Sequence, residues 1–245
     1  VTLAGKQFHL KKGDLFFLPQ NRPHFLGSSQ QKRENSQQRE QSNALFHVHQ
    51  IGAGTPDLRM FCGTFYYQKP SLLIDSLPDY LHLSLQNTPV QPLVSLFLQE
   101  AEKPEQGTKS VIDALSNVLF IYILRHAQQI GLLNQGLLAA LQDKRLNQVL
   151  EKILFSPQLD WNIEQLAELA SMSRATFMRI FQQQLRMPPG KFLTQVRLEM
   201  AAVLLKNTQK TILAIALEVG YQSEAHFSKA FKAIYGFSPS QFRKT

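Results

Sequence analysis

The chain has 245 residues, 44% of them hydrophobic, so it can bury a core and is long enough for about two domains. Its formal net charge of +8 is uneven: residues 145–245 hold 13 Lys or Arg against 7 Asp or Glu, whereas residues 1–144 hold 13 against 11. The basic excess predicts either a polyanionic partner of the C-terminal part or a solvated basic surface. The single cysteine excludes an intramolecular disulfide and fits a reducing cytoplasm. The longest apolar run, residues 118–124, is far shorter than the ~20 residues of a membrane span.

The first part of the chain has the alternating pattern of β-strands. This pattern is clear in residues 1–26 and returns in residues 44–68. The intervening residues 27–43 are rich in Gln and Ser and have little to bury, which predicts a mobile loop. Because the chain opens on Val1 within strand-like sequence, we expect it to be a fragment that lacks some preceding residues.

From about residue 70 the apolar residues recur at the three- and four-residue steps of α-helices. Residues 92–102 and 110–131 predict a helical hairpin at about 92–130. The second helix is hydrophobic on more than one side, so we expect it to be buried in its domain or in a dimer interface. One of its faces would carry Leu115, Leu119, Tyr122 and His126.

The most informative feature of the sequence is an internal repeat at a spacing of 50 residues. Seven pairs agree in type: Ser173/Ser223, Ala175/Ala225, Phe177/Phe227, Arg179/Lys229, Phe181/Phe231, Pro189/Pro239 and Phe192/Phe242. Each Ser is expected to cap a helix, and each pair of Phe at i and i+4 to form one buried stripe. Each Pro prevents the helix from continuing.

A shorter helix precedes each of these capping serines. Asn162 and Gln165 have the pattern of a capping box, and the other short helix begins after Thr211. The connecting turns have three to four residues, and Gly220 supplies the positive φ that a tight turn often needs. Two helices joined in this way, the second of them basic, predict a helix-turn-helix. The two units are expected at about 162–185 and 211–235, within an all-α domain at 139–245.

A resemblance to a known family rests on LAELASMSRATFMRIFQQQLRMPPGKFLTQVRLEMAAVLL and TILAIALEVGYQSEAHFSKAFKAIYGFSPSQFR. These segments, within about 143–243, resemble the AraC/XylS transcriptional regulators. In that family a rigid helix, here about 189–206, joins two helix-turn-helix units whose second helices enter successive major grooves. A helix of some 17 residues spans roughly 25 Å. With the width of the helices added, the two reading helices can reach grooves that recur every ~34–36 Å.

The resemblance implies that the outward faces of the two reading helices meet base edges. These faces carry Arg174, Ala175, Met178, Arg179, Glu224, Ala225, His226 and Lys229. Arg179, with Lys229 as its counterpart, is best suited to pair with guanine O6 and N7. Met178 and Ala175 offer only apolar contact, for instance to a thymine methyl. Glu224 would accept a hydrogen bond from cytosine N4 or place a favourable negative charge at the positive end of the helix dipole, and we favour the second.

Other polar residues of these units suit contacts to phosphate, which position a protein without specifying sequence. They are Ser173, Ser223 and Lys232. Arg186 stands where the family usually has Gly after the first reading helix, whereas the second unit keeps Gly236. Because Arg is strained in the left-handed conformation, we expect the first helix to end differently and Arg186 to contact phosphate instead.

The N-terminal segment GDLFFLPQNRPH, residues 13–24, resembles the second motif of the cupins, with Asn21 in place of a Gly. Many AraC/XylS relatives carry a cupin-like sensor here, and the later FCGTFYY and LLIDSLPDYLHL fit that subgroup. The resemblance implies a partial cupin-like β-barrel and the helical hairpin, together at 1–138. The first cupin motif would lie before Val1.

His24 is the one cupin ligand position that carries over, and His9, His47 and His49 are the histidines available to join it in a metal site. Histidines that line a pocket or face solvent are the preferred interpretation, so we expect no metal and no cofactor. Cys62 lies in apolar strand-like sequence, where a buried, inert thiol is expected rather than a reactive sensor. His24, His47, His49 and Cys62 are the candidates for an effector or redox site.

The sequence therefore predicts an α+β protein of two domains, with a sensor domain followed by two helix-turn-helix units and a linking helix. We expect a cytoplasmic bacterial transcription regulator, homodimeric and without enzymatic activity. Its partners would be promoter DNA, RNA polymerase and a small-molecule or chemical-stress signal, with no membrane. Two other classes stay open. One is a cupin-type metal-dependent enzyme, although no His-x-His and Glu set has metal spacing, and the other is a DNA-architectural protein that binds any sequence.

Overall fold

The structure is a computed structural model that describes residues 1–27 and 60–245, together with the backbone of strands 38–42 and 47–51. The chain forms two compact units. Unit one comprises residues 1–66 and 79–130, and unit two comprises residues 67–78 and 131–245. The segment 67–78 thus belongs to unit two, although the residues on both sides of it in the chain belong to unit one.

Short antiparallel strands form the first part of unit one. They are β1 (Thr2–Leu3), β2 (Lys6–Gln7), β3 (Asp14–Phe17), β4 (His24–Phe25), β5 (Gln38–Ser42), β6 (His47–Ile51) and β7 (Leu81–Ser84). Strand β1 lies between β2 and β4, β3 pairs with β7, and β5 pairs with β6. The register of the β3–β7 pair runs from Asp14 opposite Ser84 to Phe17 opposite Leu81.

The alternation predicts a strand that reaches residue 68, but residues 60–68 form no strand. Phe65 instead packs against Phe17 and Phe120, with ring centroids 5.9 and 5.5 Å away. An alternating pattern indicates which side chains are buried, and an unpaired extended segment can bury the same side chains. Conversely, β7 lies in a region whose predicted elements are helical.

A short helix of unit two, α1 (Leu72–Asp75), comes first in the chain. The predicted helical hairpin is confirmed by α2 (Gln91–Glu102) and α3 (Thr108–Gln129). Helix α3 packs against α2 and β7, and its buried face includes Ile123 and Ala127. Among the described residues it is the one helix long and apolar enough to cross a membrane by length and composition alone. Few of its residues are fully buried.

Unit two is helical. Besides α1 it contains α4 (Leu137–Gln142), α5 (Asn147–Phe155), α6 (Ile163–Leu169), α7 (Arg174–Leu185), α8 (Pro189–Asn207), α9 (Ile212–Glu218), α10 (Glu224–Tyr235) and α11 (Pro239–Lys244). Two hydrophobic cores form, one around α7 and one around α10. Helix α8 supplies Phe192 and Val196 to the first core and Leu198 and Ala202 to the second. The predicted α+β class, with an all-α basic part after a β-rich part, is confirmed.

Candidate nucleic-acid interface

The two predicted reading helices, α7 and α10, begin and end at positions 50 residues apart. The hydroxyl of Ser173 accepts from the Thr176 backbone N–H, and the hydroxyl of Ser223 accepts from that of His226, each at 3.3 Å. Both serines are therefore N-caps, as their spacing predicts. The helices that follow, α8 and α11, also begin 50 residues apart, at Pro189 and Pro239.

The expectation that the first reading helix ends differently from the second is wrong. Arg186 has φ +57° and Gly236 has φ +77°, so both C-caps are left-handed. A non-glycine residue pays roughly 1–2 kcal/mol for this conformation. Tertiary contacts hold Arg186 in it, since its guanidinium donates to Gln135 Oε1 at 2.6 Å and the neighbouring Gly136 N–H donates to Gln184 O at 2.9 Å.

The short helix before each reading helix is also capped as predicted. Asn162 and Gln165 form the reciprocal capping box of α6, and the Thr211 hydroxyl accepts from the Ala214 N–H at 3.1 Å to cap α9. Both turns contain one left-handed residue, Ser171 with φ +53° and Gly220 with φ +92°. The sequence identified only the glycine, because serine carries no comparable signal for positive φ.

The paired phenylalanines hold the reading helices in place. Phe177 and Phe181 of α7, like Phe227 and Phe231 of α10, have no exposed surface. Their rings lie 5.5 and 5.6 Å apart within the two helices, which is the range of favourable aromatic pairs. Because these stripes face the cores, the remaining faces of the two helices point outward.

The predicted base-reading residues lie on these outward faces. Arg174, Ala175, Arg179, Glu224, Ala225, His226 and Lys229 are exposed, and Met178 is half-buried. Arg179 and Lys229 make no hydrogen bond or ion pair with another described residue, so their cations are available to a ligand. Arg174 pairs with Glu164 at 2.9 Å, with both side chains largely exposed. Such an exposed pair contributes only about 0–1 kcal/mol and is easily exchanged.

The family model of a helix-turn-helix domain matches residues 166–245, and that of a cupin matches residues 1–129. Over all 245 residues the chain is 64% identical to an uncharacterised HTH-type transcriptional regulator of Haemophilus influenzae, of which it covers 82%. It is 39% identical to the HTH-type transcriptional regulator MtrA of Neisseria gonorrhoeae, over 95% of this chain and 77% of that protein. The chain belongs to the AraC family of transcription regulators.

Among solved structures, this AraC-family regulator is similar to the DNA-binding domain of AdpA in complex with a target DNA. The identity is 28% and the TM-score 0.40, over 41% of this chain and 90% of that one. The two family models and the two regulator relatives, rather than this structural likeness, confirm the cupin and helix-turn-helix resemblances. The protein is a DNA-binding transcription regulator.

The residues predicted to hold phosphate lie at the ends of the reading helices. The hydroxyls of Ser173 and Ser223 serve as caps, and Lys232 is exposed in the last turn of α10. The repeat pairs Lys232 with Gln182, an exposed residue of α7 that is not among the predicted phosphate contacts. The 50-residue spacing is the signal that would have found it.

A second residue missed from the sequence is Arg197 on α8. It is half-buried, and its guanidinium donates to the carbonyls of Pro157 and Leu159 at 2.7 and 2.9 Å. No sequence signal marks it, because its partners are backbone atoms 38 and 40 residues away.

Of the candidate effector or redox site, the structure describes only the side chains of His24 and Cys62. His24 is exposed, with its ring Nδ1 3.1 Å from Arg22 O, and the side chains of His47 and His49 lie outside the described residues. The expectation of a buried thiol is wrong because Cys62 is exposed, in the segment that forms no strand. Among the residues that the structure describes, no three His, Cys, Asp or Glu are grouped to hold a metal ion.

Proposed function

We propose that this regulator binds a specific promoter site by placing α7 and α10 in two successive major grooves on one face of the duplex. The observation that carries the proposal is the repetition of one capped, basic helix on a single linking helix. Helix α8 has 19 residues and is therefore about 28 Å long at 1.5 Å per residue. That length, with the width of the flanking helices, suits grooves ~34–36 Å apart.

The exposed residues divide between two kinds of contact. Arg179 and Lys229 occupy equivalent positions on α7 and α10. Neither has a partner within the described part of the chain, which suits direct pairing with guanine. Arg174, Ala175, Met178, Glu224, Ala225 and His226 would meet neighbouring base edges, with Glu224 at the first position of α10 also suited to the macrodipole. Ser173, Arg186, Ser223 and Lys232 would position the helices on phosphates.

Competition between duplexes tests sequence-specific binding. The target duplex is first isolated by repeated selection from a random library with the purified chain. We expect the selected duplex to bind at least ~10³-fold more tightly than random duplex at physiological salt, because specific contacts add to the phosphate term. Equal affinity for both duplexes would overturn the proposal and favour an architectural protein.

The outward face of α3 supports a homodimer. Its exposed side chains Val111, Ala114, Val118, Ile121 and Arg125 follow one another at alternating steps of three and four residues. This spacing is that of a coiled-coil seam, and the three large apolar side chains are 39–49% exposed. A contiguous apolar row of this kind marks an interaction surface, and we propose that it packs against the same row of a second copy.

Val118→Glu is expected to weaken the dimer at least ~100-fold, because it places an unpaired charge in an apolar seam. Light scattering over a concentration series measures the change in mass. Lys109→Glu is the control, since Lys109 lies on the same helix, is exposed and stands outside the row. A wild-type chain that stays monomeric and instead binds phospholipid vesicles would assign the α3 face to a membrane.

The response to a small-molecule or chemical-stress signal, and the contact with RNA polymerase, stay predictions from the family resemblance. A regulator that acts on promoter DNA works where the bacterial chromosome is, so we propose a cytoplasmic location.

A further inference from the structure

Arg197, in the middle of α8, joins the linking helix to the loop that leads into the first helix-turn-helix unit. Its Nε donates to Pro157 O at 2.7 Å and its Nη2 donates to Leu159 O at 2.9 Å. Both carbonyls belong to the loop 156–162 between α5 and α6. A half-buried guanidinium is costly unless its donors are paired, and here the two bonds fix the loop against the helix.

The same loop contacts the turn of the second helix-turn-helix unit. A Cβ added to Gly220 would lie 2.8 Å from both the Cα and the O of Gln158, and 3.0 Å from Arg197 Cζ. The two separations to Gln158 are shorter than real Cβ contacts, and both are to backbone atoms. The loop, α8 and the second turn therefore meet at one point, where only glycine fits.

Two reasons could require glycine at position 220, namely its positive φ and its contact with the loop, and the first turn distinguishes them. Ser171 occupies the first turn in the place that Gly220 has in the second, and both residues have positive φ. A non-glycine residue is thus accepted in the first turn, where position 171 is exposed, whereas position 220 is half-buried against the loop. Contact with Gln158 and Arg197 is what distinguishes the second turn.

The junction also reaches the second reading helix. Tyr221 follows Gly220, and its ring packs edge-on against Phe227 of α10 with centroids 5.5 Å apart. Burial lowers the pKa of the Arg197 guanidinium below its ordinary value, and the nearby Tyr221 and Asp160 partly offset this. A continuous set of contacts therefore runs from the loop that precedes the first unit to the reading helix of the second unit.

We propose that Arg197 and Gly220 form a lock that fixes the orientation of α10 relative to α7, and so determines the one spacing of half-sites that the regulator accepts. The proposal rests on the proposed binding to two major grooves. Helix α8 joins the two cores, and a helix of this length can still bend gently between its packed ends. The loop contact is a second connection. One inserted base pair rotates a half-site by ~35° and moves it by ~3.4 Å, which a locked pair of helices cannot follow.

The test uses the duplex selected by the wild-type chain and two derivatives with one base pair added or removed between its half-sites. We expect the wild-type affinity to fall at least about tenfold on either derivative. Arg197→Met keeps the apolar stem but loses both hydrogen bonds, and Gly220→Ser copies the residue of the first turn. Both variants are expected to bind the selected duplex more weakly than the wild-type chain does. The affinity of each variant should differ by less than about threefold among the three duplexes.

Controls distinguish the lock from loss of charge or of fold. Lys206→Met removes a cation from the same helix and is expected to keep the wild-type spacing profile. Arg197→Lys keeps the charge, but a single ammonium group cannot bind both carbonyls as the forked guanidinium does. This variant replaces Arg197→Met if Arg197→Met shows no cooperative thermal unfolding. Folded variants that retain the tenfold penalty would overturn the lock. A wild-type selection that yields a single half-site would instead overturn the proposed function, and the lock with it.

Discussion

Phe227→Ala is expected to lower the free energy of unfolding of unit two by about 3–5 kcal/mol, the usual cost of truncating a fully buried aromatic side chain. Phe227 has no exposed surface, and its ring contacts Tyr221 and Phe231. Its loss removes transfer free energy and leaves a cavity in the core that supports α10. Urea unfolding followed by helical circular dichroism measures the change.

Phe237→Ala is the matched control, because Phe237 follows the same helix but is 52% exposed. Truncation of an exposed side chain changes stability by only about 0.5 kcal/mol. Similar losses for the two variants would contradict the assignment of the Phe227 stripe to the core.

Arg179→Ala is expected to relax the preference of the regulator at one base position by about 1–3 kcal/mol, the discrimination that a bidentate contact to guanine supplies. Arg179 is exposed and has no partner among the described residues, so the substitution removes no contact that stabilises the fold. Competition with every single-base variant of the selected duplex measures the preference position by position.

Lys232→Ala is the control for this measurement, because the exposed Lys232 is predicted to contact phosphate. This substitution should weaken binding to all duplexes about equally. If Arg179→Ala also weakened all of them equally, Arg179 would be a phosphate contact and base reading would belong to other residues of α7.

The helix-turn-helix units could be predicted from the sequence because their determinants are local. Ser173 and Ser223 each accept a hydrogen bond from the backbone N–H three residues later. The two phenylalanines of each stripe are four residues apart, about one helical turn. Local signals also repeat with the duplicated unit, so each copy supports the other. The outward faces of α7 and α10 follow directly from the buried ones.

What the sequence did not predict depends on contacts between distant residues. The left-handed Arg186 is held by Gln135, which lies 51 residues away, and Arg197 binds carbonyls of a loop before the first unit. Cys62 was expected to be buried because its segment alternates, but alternation does not show whether a partner strand is present. Strand pairing is non-local, and for this reason unit one was predicted less completely than unit two.

Hydroxyl-radical footprinting on the selected duplex shows directly whether α7 and α10 occupy successive major grooves. We expect two protected backbone regions on one face of the duplex, centred ~10–10.5 base pairs apart. Arg179→Ala should weaken protection in one region and Lys229→Ala in the other. A single protected region, or protection that both substitutions reduce in the same place, would contradict the placement of α7 and α10 in successive major grooves.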